Sequence, residues 1–310
     1  MERREKILLS ALALIALLLV LIAPAFFAPQ PLLSLATSKI PALLAVIGCS
    51  TVILTRQIDI SIGSIMGISA VVIGHLNHSG IPMTLATCAG AAVGASIGML
   101  NGALVSVLRL PSIVVTLATM VIGAESLRLA QQGQFIPLNP GAQWFGLDQT
   151  VGQLALILFG FGLLLLCDFL MRHLRAGRWF HATGSNAESA RLAGVNPTRT
   201  TFIAFVLNGL TAGLAAACSV AQSPQVDPKC GVGMELTAIA AAVIGGISVR
   251  GGTGSLRGAA LGLALISAVN PTLTYLHVQA YWEKAIQGIV ILLSVLAETK
   301  RTSRTNPPRA

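Results

Sequence analysis

Charge is the scarcest ingredient of this 310-residue chain: Asp, Glu, Lys and Arg together make up 10% of it, against 54% hydrophobic residues, and its mean hydropathy is +0.80. A soluble domain averages about 25% charged residues, so a fully solvated surface is excluded. Chemistry-bearing motifs are missing too. The five cysteines, Cys49, Cys88, Cys167, Cys218 and Cys230, form no CxxC pair and no metal-ligand spacing, and they read as small hydrophobes. There is no HExxH and no paired nucleophile and base that would make a catalytic constellation, and no metal or cofactor is expected on the chain. No GxxxxGK[ST] loop is present to cradle a nucleotide phosphate. The formal net charge of +9 is not gathered on one soluble face, and nucleic acid is not expected as a partner.

What the chain does have is a series of long apolar runs. About 20 apolar residues cross a hydrocarbon core of about 30 Å, and lipid leaves backbone amides only helices or a closed barrel in which to find partners. The runs are too long for barrel strands, so the expected fold is all-α: a polytopic membrane protein of about ten helices. Ten spans are read at 7–27, 32–55, 60–77, 83–107, 112–130, 151–171, 201–221, 234–249, 256–276 and 282–298. The basic start and Ala23-Pro24-Ala25 loosely fit a cleavable signal, but an uncleaved first helix is the expectation. Of the 20 Lys and Arg residues, all but Lys39, Arg128, Lys229 and Lys284 fall on the side that holds both termini. The positive-inside rule therefore places both termini, and the polar stretch around 172–200, in the cytoplasm.

Glycine spacing predicts helix packing. Gly90, Gly94, Gly98 and Gly102 recur every four residues on the fourth span and line up on one side, where a neighbouring helix can approach closely. The glycine cluster between the eighth and ninth spans reads as tight turns and packing. Few polar groups interrupt the spans: Asp59, Asn101, Glu125 with Arg128, Asp168, Asn208 and Glu235. Ionisable groups in a membrane are costly and often functional, so Asp59, Asn101, Glu125, Asn208 and Glu235 are candidates for a solute path. The alternative is structural. Asp59 and Ser61 cap the third helix, Glu235 sits in a first turn where the dipole favours a carboxylate, and Glu125 pairs with Arg128 on one helix face. His75 and His78 read as part of a plain outer loop.

One stretch, Phe180 to Thr200, reads as soluble. Ser185-Asn186-Ala187-Glu188 has the form of a capping box, which predicts a short helix over 186–193, stopped by Gly194 and followed by Pro197, which cannot continue it. Eight residues are too few for a helix stable by itself in water, so it must pack on something.

The segments TRQIDISIGSIMG (55–67), FHATGSNAESARLAGV (180–195) and GVGMELTAIAAAVIGGISVRGGTGSLRGAALG (231–262) resemble, in the same order, the permease subunits of bacterial ABC importers for monosaccharides: the ribose, xylose, galactose, rhamnose and autoinducer-2 group. The similarity is greatest to its autoinducer-2 and rhamnose branches. The resemblance implies a single transmembrane permease domain over residues 1–310 in the bacterial inner membrane, surrounded by membrane lipid. It further implies a second permease subunit, a periplasmic binding protein that delivers solute, and a separate cytoplasmic ATPase. The polar stretch would then be the coupling element, with Ser185, Asn186, Glu188, Arg191 and Gly194 matching the family motif. Arg250 and Arg257 beside the glycine cluster depart from the charge expected there. A docking surface for the binding protein is expected on the outer loop 131–150, with Trp144, Phe145 and Asp148, together with Asp227, Lys229 and Glu283; the aromatics could equally form an interfacial belt. The rival reading is an ion-coupled secondary transporter in which Asp59, Glu125 or Glu235 carries the ion.

Overall fold

A computed structural model describes residues 3–22, 24–143 and 147–275, with isolated positions at 279, 282, 285, 286, 288, 289 and 292. Trp144, Phe145, Glu283 and most of the tenth predicted span lie outside the described residues. The other nine spans all appear as helix. In chain order the elements are α1 (Arg3–Ile22), a short 3-10 turn (Pro24–Phe27), α2 (Pro29–Ser38), α3 (Ile40–Leu54), α4 (Ile62–His78), α5 (Met83–Ser106), α6 (Ser112–Gln131), β1 (Ile136–Pro137), α7 (Gln149–His173), α8 (Arg175–Ser185), α9 (Ala187–Leu192), α10 (Pro197–Val220), β2 (Gln225–Val226), α11 (Met234–Ile244) and α12 (Leu256–Tyr275).

Proline and glycine set most of the boundaries. Pro29 and Pro41 fall in the first turns of α2 and α3, where a missing amide costs nothing. The predicted second span is thus two helices, joined nearly end to end by a hydrogen bond from Leu43 N to Lys39 O, 2.9 Å.

Helix α3 is buried along its whole length and packs against α10, which lies most extensively against α5, then α3, then α4. The close approach comes from small residues on both partners. A methyl placed on Gly94 would overlap the carbonyl oxygen of Gly209, and one on Gly98 would overlap that of Phe205. Gly90 instead faces Ile73 of α4, and Gly102 faces Phe202 and Phe205. The ladder is matched across the seam by Gly209 and Gly213 of α10, whose own added methyls would meet Gly94 O and the backbone of Ala91. Around this centre, α1, α6 and α7 carry exposed Leu, Ile, Val and Phe residues, the kind of outer face that lipid covers at no cost.

Two departures from the expected all-helical layout shape the interior. The antiparallel pair of β1 and β2, with Ile136 opposite Val226, ties the loop after α6 to the loop after α10. His78 and Asn77 at the end of α4 bind the same loop, through Pro137 O at 3.2 Å and Asn139 N at 3.0 Å.

From Val226, against Gly74, the chain descends along α4. Pro228 O lies by Gly67, and Gly231 touches Gly63. The eighth predicted span, 234–249, is accordingly corrected to the 11 residues of α11. At about 1.5 Å per residue these reach only about 16 Å, half of a hydrocarbon core. Turn-forming Asp227, Pro228, Gly231 and Gly233 carry the chain down the other part of the depth beside α4. A hydropathy run cannot distinguish this from a full crossing.

Candidate functional site

The link between α3 and α4 is the centre of a buried polar network. Asp59, fully buried, accepts through one oxygen from Ser61 N at 2.8 Å and Ser61 Oγ at 2.6 Å, and through the other from Asn208 Nδ2 at 2.8 Å. Asn101 Nδ2 donates to Ser61 Oγ at 2.9 Å, and Thr119 Oγ1 donates to Asn101 Oδ1 at 2.6 Å. The start of α4 and α10 thereby meet on one carboxylate, with α5 and α6 joined to it through Ser61 Oγ, and it has no cation beside it among the described residues. Buried polar groups are kept where they are hydrogen-bonded, and three donors stand in for a counter-ion. Asn208 Oδ1 remains without a partner.

Of the five residues predicted for a solute path, the structure gathers Asp59, Asn101 and Asn208 here. Glu235 lies next to them: its carboxylate touches Gly63 and accepts from Gly233 N at 3.2 Å. The N-termini of α4 and α11 therefore converge, each with its own carboxylate, where the helix dipoles favour negative charge. Glu125 stands apart, exposed and paired with Arg128 at 2.9 Å.

The second candidate region is the polar stretch, where the sequence reading needs two corrections. Residues 175–185, expected to be loop, form α8, whose base is fixed by glycine contacts. A methyl on Gly184 would overlap Leu54 O, and Gly252 N donates to that same oxygen at 2.9 Å. His181 Nδ1 lies 3.1 Å from Gly252 O. The cluster between α11 and α12 is thus the platform under α8, with Gly251 and Gly252 both at positive φ, a conformation glycine adopts without strain.

The cap of the following helix is also shifted by one residue. Ser185 is the last residue of α8, and Asn186 turns extended (φ −158°, ψ 106°); its side chain accepts from Glu188 N and Ser189 N. The Glu188 side chain makes no hydrogen bond among the described residues, so the reciprocal half of a capping box is not formed. A serine still inside a helix cannot cap the next one, whereas asparagine in the extended region can.

At the other end α9 closes as a Schellman turn. Val195 N donates to Ala190 O and Gly194 N to Arg191 O, both at 3.0 Å, with Gly194 at φ 83°. What remains is a six-residue helix held at both caps, exposing Leu192 at 85%. Glu188, Arg191 and Val195 border a shallow hollow beside it. Asn186→Ala should cost about 1 kcal/mol locally, read as faster amide exchange over 187–192, while Ser185→Ala should leave that exchange unchanged.

Arg257 and Arg172 meet Asp168, at 2.6 and 2.9 Å, which accounts for the unexpected charge at position 257. Arg250 sits exposed on the neighbouring turn, its amide on Ser248 Oγ at 3.2 Å. Asp148, Asp227 and Lys229 are exposed. Asp227 and Lys229 lie on the segment that descends beside α4, between the Val226 and Gly231 contacts, and not at the tip of a loop.

Residues 32–295 match the family model described as the permease component of the branched-chain amino acid transport system. The chain belongs to this permease family. Among curated relatives, the permease is 35% identical over 292 residues to the autoinducer 2 import system permease protein LsrC of Escherichia coli O157:H7, an alignment covering 90% of this chain and 84% of the relative. It is 37% identical over 284 residues to LsrC of Klebsiella pneumoniae, covering 90% and 82%. With the ribose import permease protein RbsC of Escherichia coli K12 it shares 32% identity over 305 residues, covering 96% and 94%. No solved structure matches the permease. The family is one of polytopic membrane transport components and not of enzymes.

Sequence reasoning named Ser61 only as a helix cap and missed Thr119 in the network, and Gly209 and Gly213 in the seam. The glycine pair was visible as another four-residue spacing; nothing local marked Thr119.

Proposed function

We propose that this permease is the membrane-spanning subunit of an ATP-driven importer for a neutral sugar or related polyol, and that α9 is the element by which a separate ATPase moves it. The carrying observation is the form of α9: six residues, capped at both ends, seated on the fixed base of α8 and projecting Leu192 into solvent. A helix this short gains nothing from standing in water, and the exposed leucine beside Glu188 and Arg191 suits a groove on a partner. Asn186 sets its start and Gly194 its end, while Ser185 closes the α8 base on which it stands. Autoinducer-2 and ribose, named for the relatives, set the substrate class. A neutral solute agrees with an interior that offers amides, hydroxyls and few fixed charges.

In this reading the basic end, with α8, α9 and Arg250, faces the cytoplasm of a bacterium's inner membrane. The solute passes by the converging starts of α4 and α11, with Glu235 at its edge and Asp59, Asn101 and Asn208 forming the wall behind. A second permease subunit completes the path, and a periplasmic binding protein docks at the β1–β2 end near Asp148. Asp227 and Lys229 extend that surface inward. ATP binding biases the exchange between inward- and outward-facing arrangements only through contacts that differ between the two, and α9 supplies them.

Gly194→Val forces a β-branched residue to a positive φ, and Glu188→Arg reverses a charge on the exposed face. Both variants should remain folded in the membrane, lose the co-purifying ATPase and lose uptake. Retention of the ATPase with full uptake in both would reduce the stretch to an elbow between α8 and α10.

A further inference from the structure

Helix α1 packs on α12 and on the turn that follows it, and this leaves an elongated cavity between α1 and the neighbouring α2, α7 and α12. It has a volume of about 820 Å3 and follows α1 from Glu5 to Leu19, about 21 Å of helix. Its walls are almost entirely carbon, so a sugar placed there would leave its hydroxyls without partners, a cost of the order of 1–3 kcal/mol each. Hydrocarbon fits without that cost. At about 30 Å3 for a group of water's size, the space holds roughly 27 such groups, most of the two chains of one diacyl lipid.

One wall residue is out of keeping with the rest. Lys39 lines the cavity, half-buried, within the 26-residue apolar stretch Pro29–Leu54. It makes no ion pair among the described residues. The Glu5 end is different, for there Glu5, Asp168, Arg172 and Arg257 neutralise one another. A lysine inside a membrane segment either reaches the interface along its own stem or meets an anion, and here the apolar space beside it is open among the described residues.

We propose that this groove binds one anionic phospholipid, with its acyl chains along α1 and its phosphate on Lys39. The charge balance favours an anionic head over a zwitterionic one, because among the described residues the unmatched group in the groove is a single cation.

The test uses the purified full-length permease in mild detergent, with mixed micelles of phosphatidylglycerol or phosphatidylcholine as probes. Bound lipid is counted by native mass spectrometry, and the midpoint of thermal unfolding is followed alongside. Wild type should retain about one phosphatidylglycerol and be raised in midpoint more by phosphatidylglycerol than by phosphatidylcholine. Lys39→Met should lower the preference for the anionic lipid about five-fold, the contribution of one lysine near an anionic surface. Lys39→Arg should keep it, which separates loss of the cation from loss of the fold. Ala264→Trp, filling the α12 wall, should abolish retention of both lipids. Equal uptake of the two lipids by wild type, or an undiminished preference in Lys39→Met, would overturn the proposal and leave Lys39 as a lysine that reaches the interface unaided.

Discussion

Gly98→Leu is expected to remove most folded permease from the membrane, whereas Ala155→Leu on the exposed face of α7 is expected to be tolerated. The atom in the way at position 98 is a backbone carbonyl, Phe205 O, with Gly209 Cα at 3.1 Å behind it. A side-chain neighbour could turn aside, but a backbone one in the middle of α10 cannot, because its own hydrogen bond holds it. Overpacking a close-packed interior costs about 1–3 kcal/mol even where rotamers can adjust. Here α5 and α10 must separate along the whole seam, opening contacts that also run through Gly94, Gly209 and Gly213. The amount of monodisperse protein on fluorescence-detected size exclusion decides the matter. Comparable yields for the two variants would mean that α5 and α10 do not meet through this ladder.

The second large effect is expected at Asp59. Replacement by alanine leaves Ser61 N, Ser61 Oγ and Asn208 Nδ2 buried without their acceptor, and each orphaned donor costs about 1–3 kcal/mol. The loss falls on the joint of α4, α5 and α10 at once, so Asp59→Ala should unfold well below wild type in detergent and give little transport. Asp59→Asn should behave differently. The new amide keeps a carbonyl oxygen for Ser61, and its NH2 finds the Oδ1 of Asn208, which lacks a partner, once the Asn208 amide turns over; that orientation is a choice the network itself makes. Near-wild-type stability and uptake are therefore expected from Asp59→Asn. If it proves as damaging as alanine, the negative charge itself is needed, and the ion-coupled mechanism gains the support that a structural joint denies it.

The coupling region shows how far local reading goes. Gly194 followed by Val195, and Asn186 three residues before Ser189, carry the ends of α9 in their own backbone preferences, so a short helix was legible to within a residue or two at each end. That Asn186 and not Ser185 caps it was not legible, because the choice depends on α8 running through Ser185. Helix α8 in turn exists where Gly184 can lie against Leu54 O and Gly252, residues more than 60 positions away in either direction along the chain.

Hydropathy by itself determined that the chain spans a membrane many times, since lipid leaves apolar runs of that length one way to satisfy their amides. The four-residue glycine spacing on α5 likewise marked a close helix contact. Which helix fills the seam, and that α11 reaches only part-way while residues 227–233 descend beside α4, was decided by tertiary structure. So was the gathering of Asp59, Asn101, Thr119 and Asn208 from four segments, while Glu125 was left outside with Arg128. Burial of a polar group depends on what the rest of the chain brings to it, and a side chain's own neighbours in sequence do not carry that information.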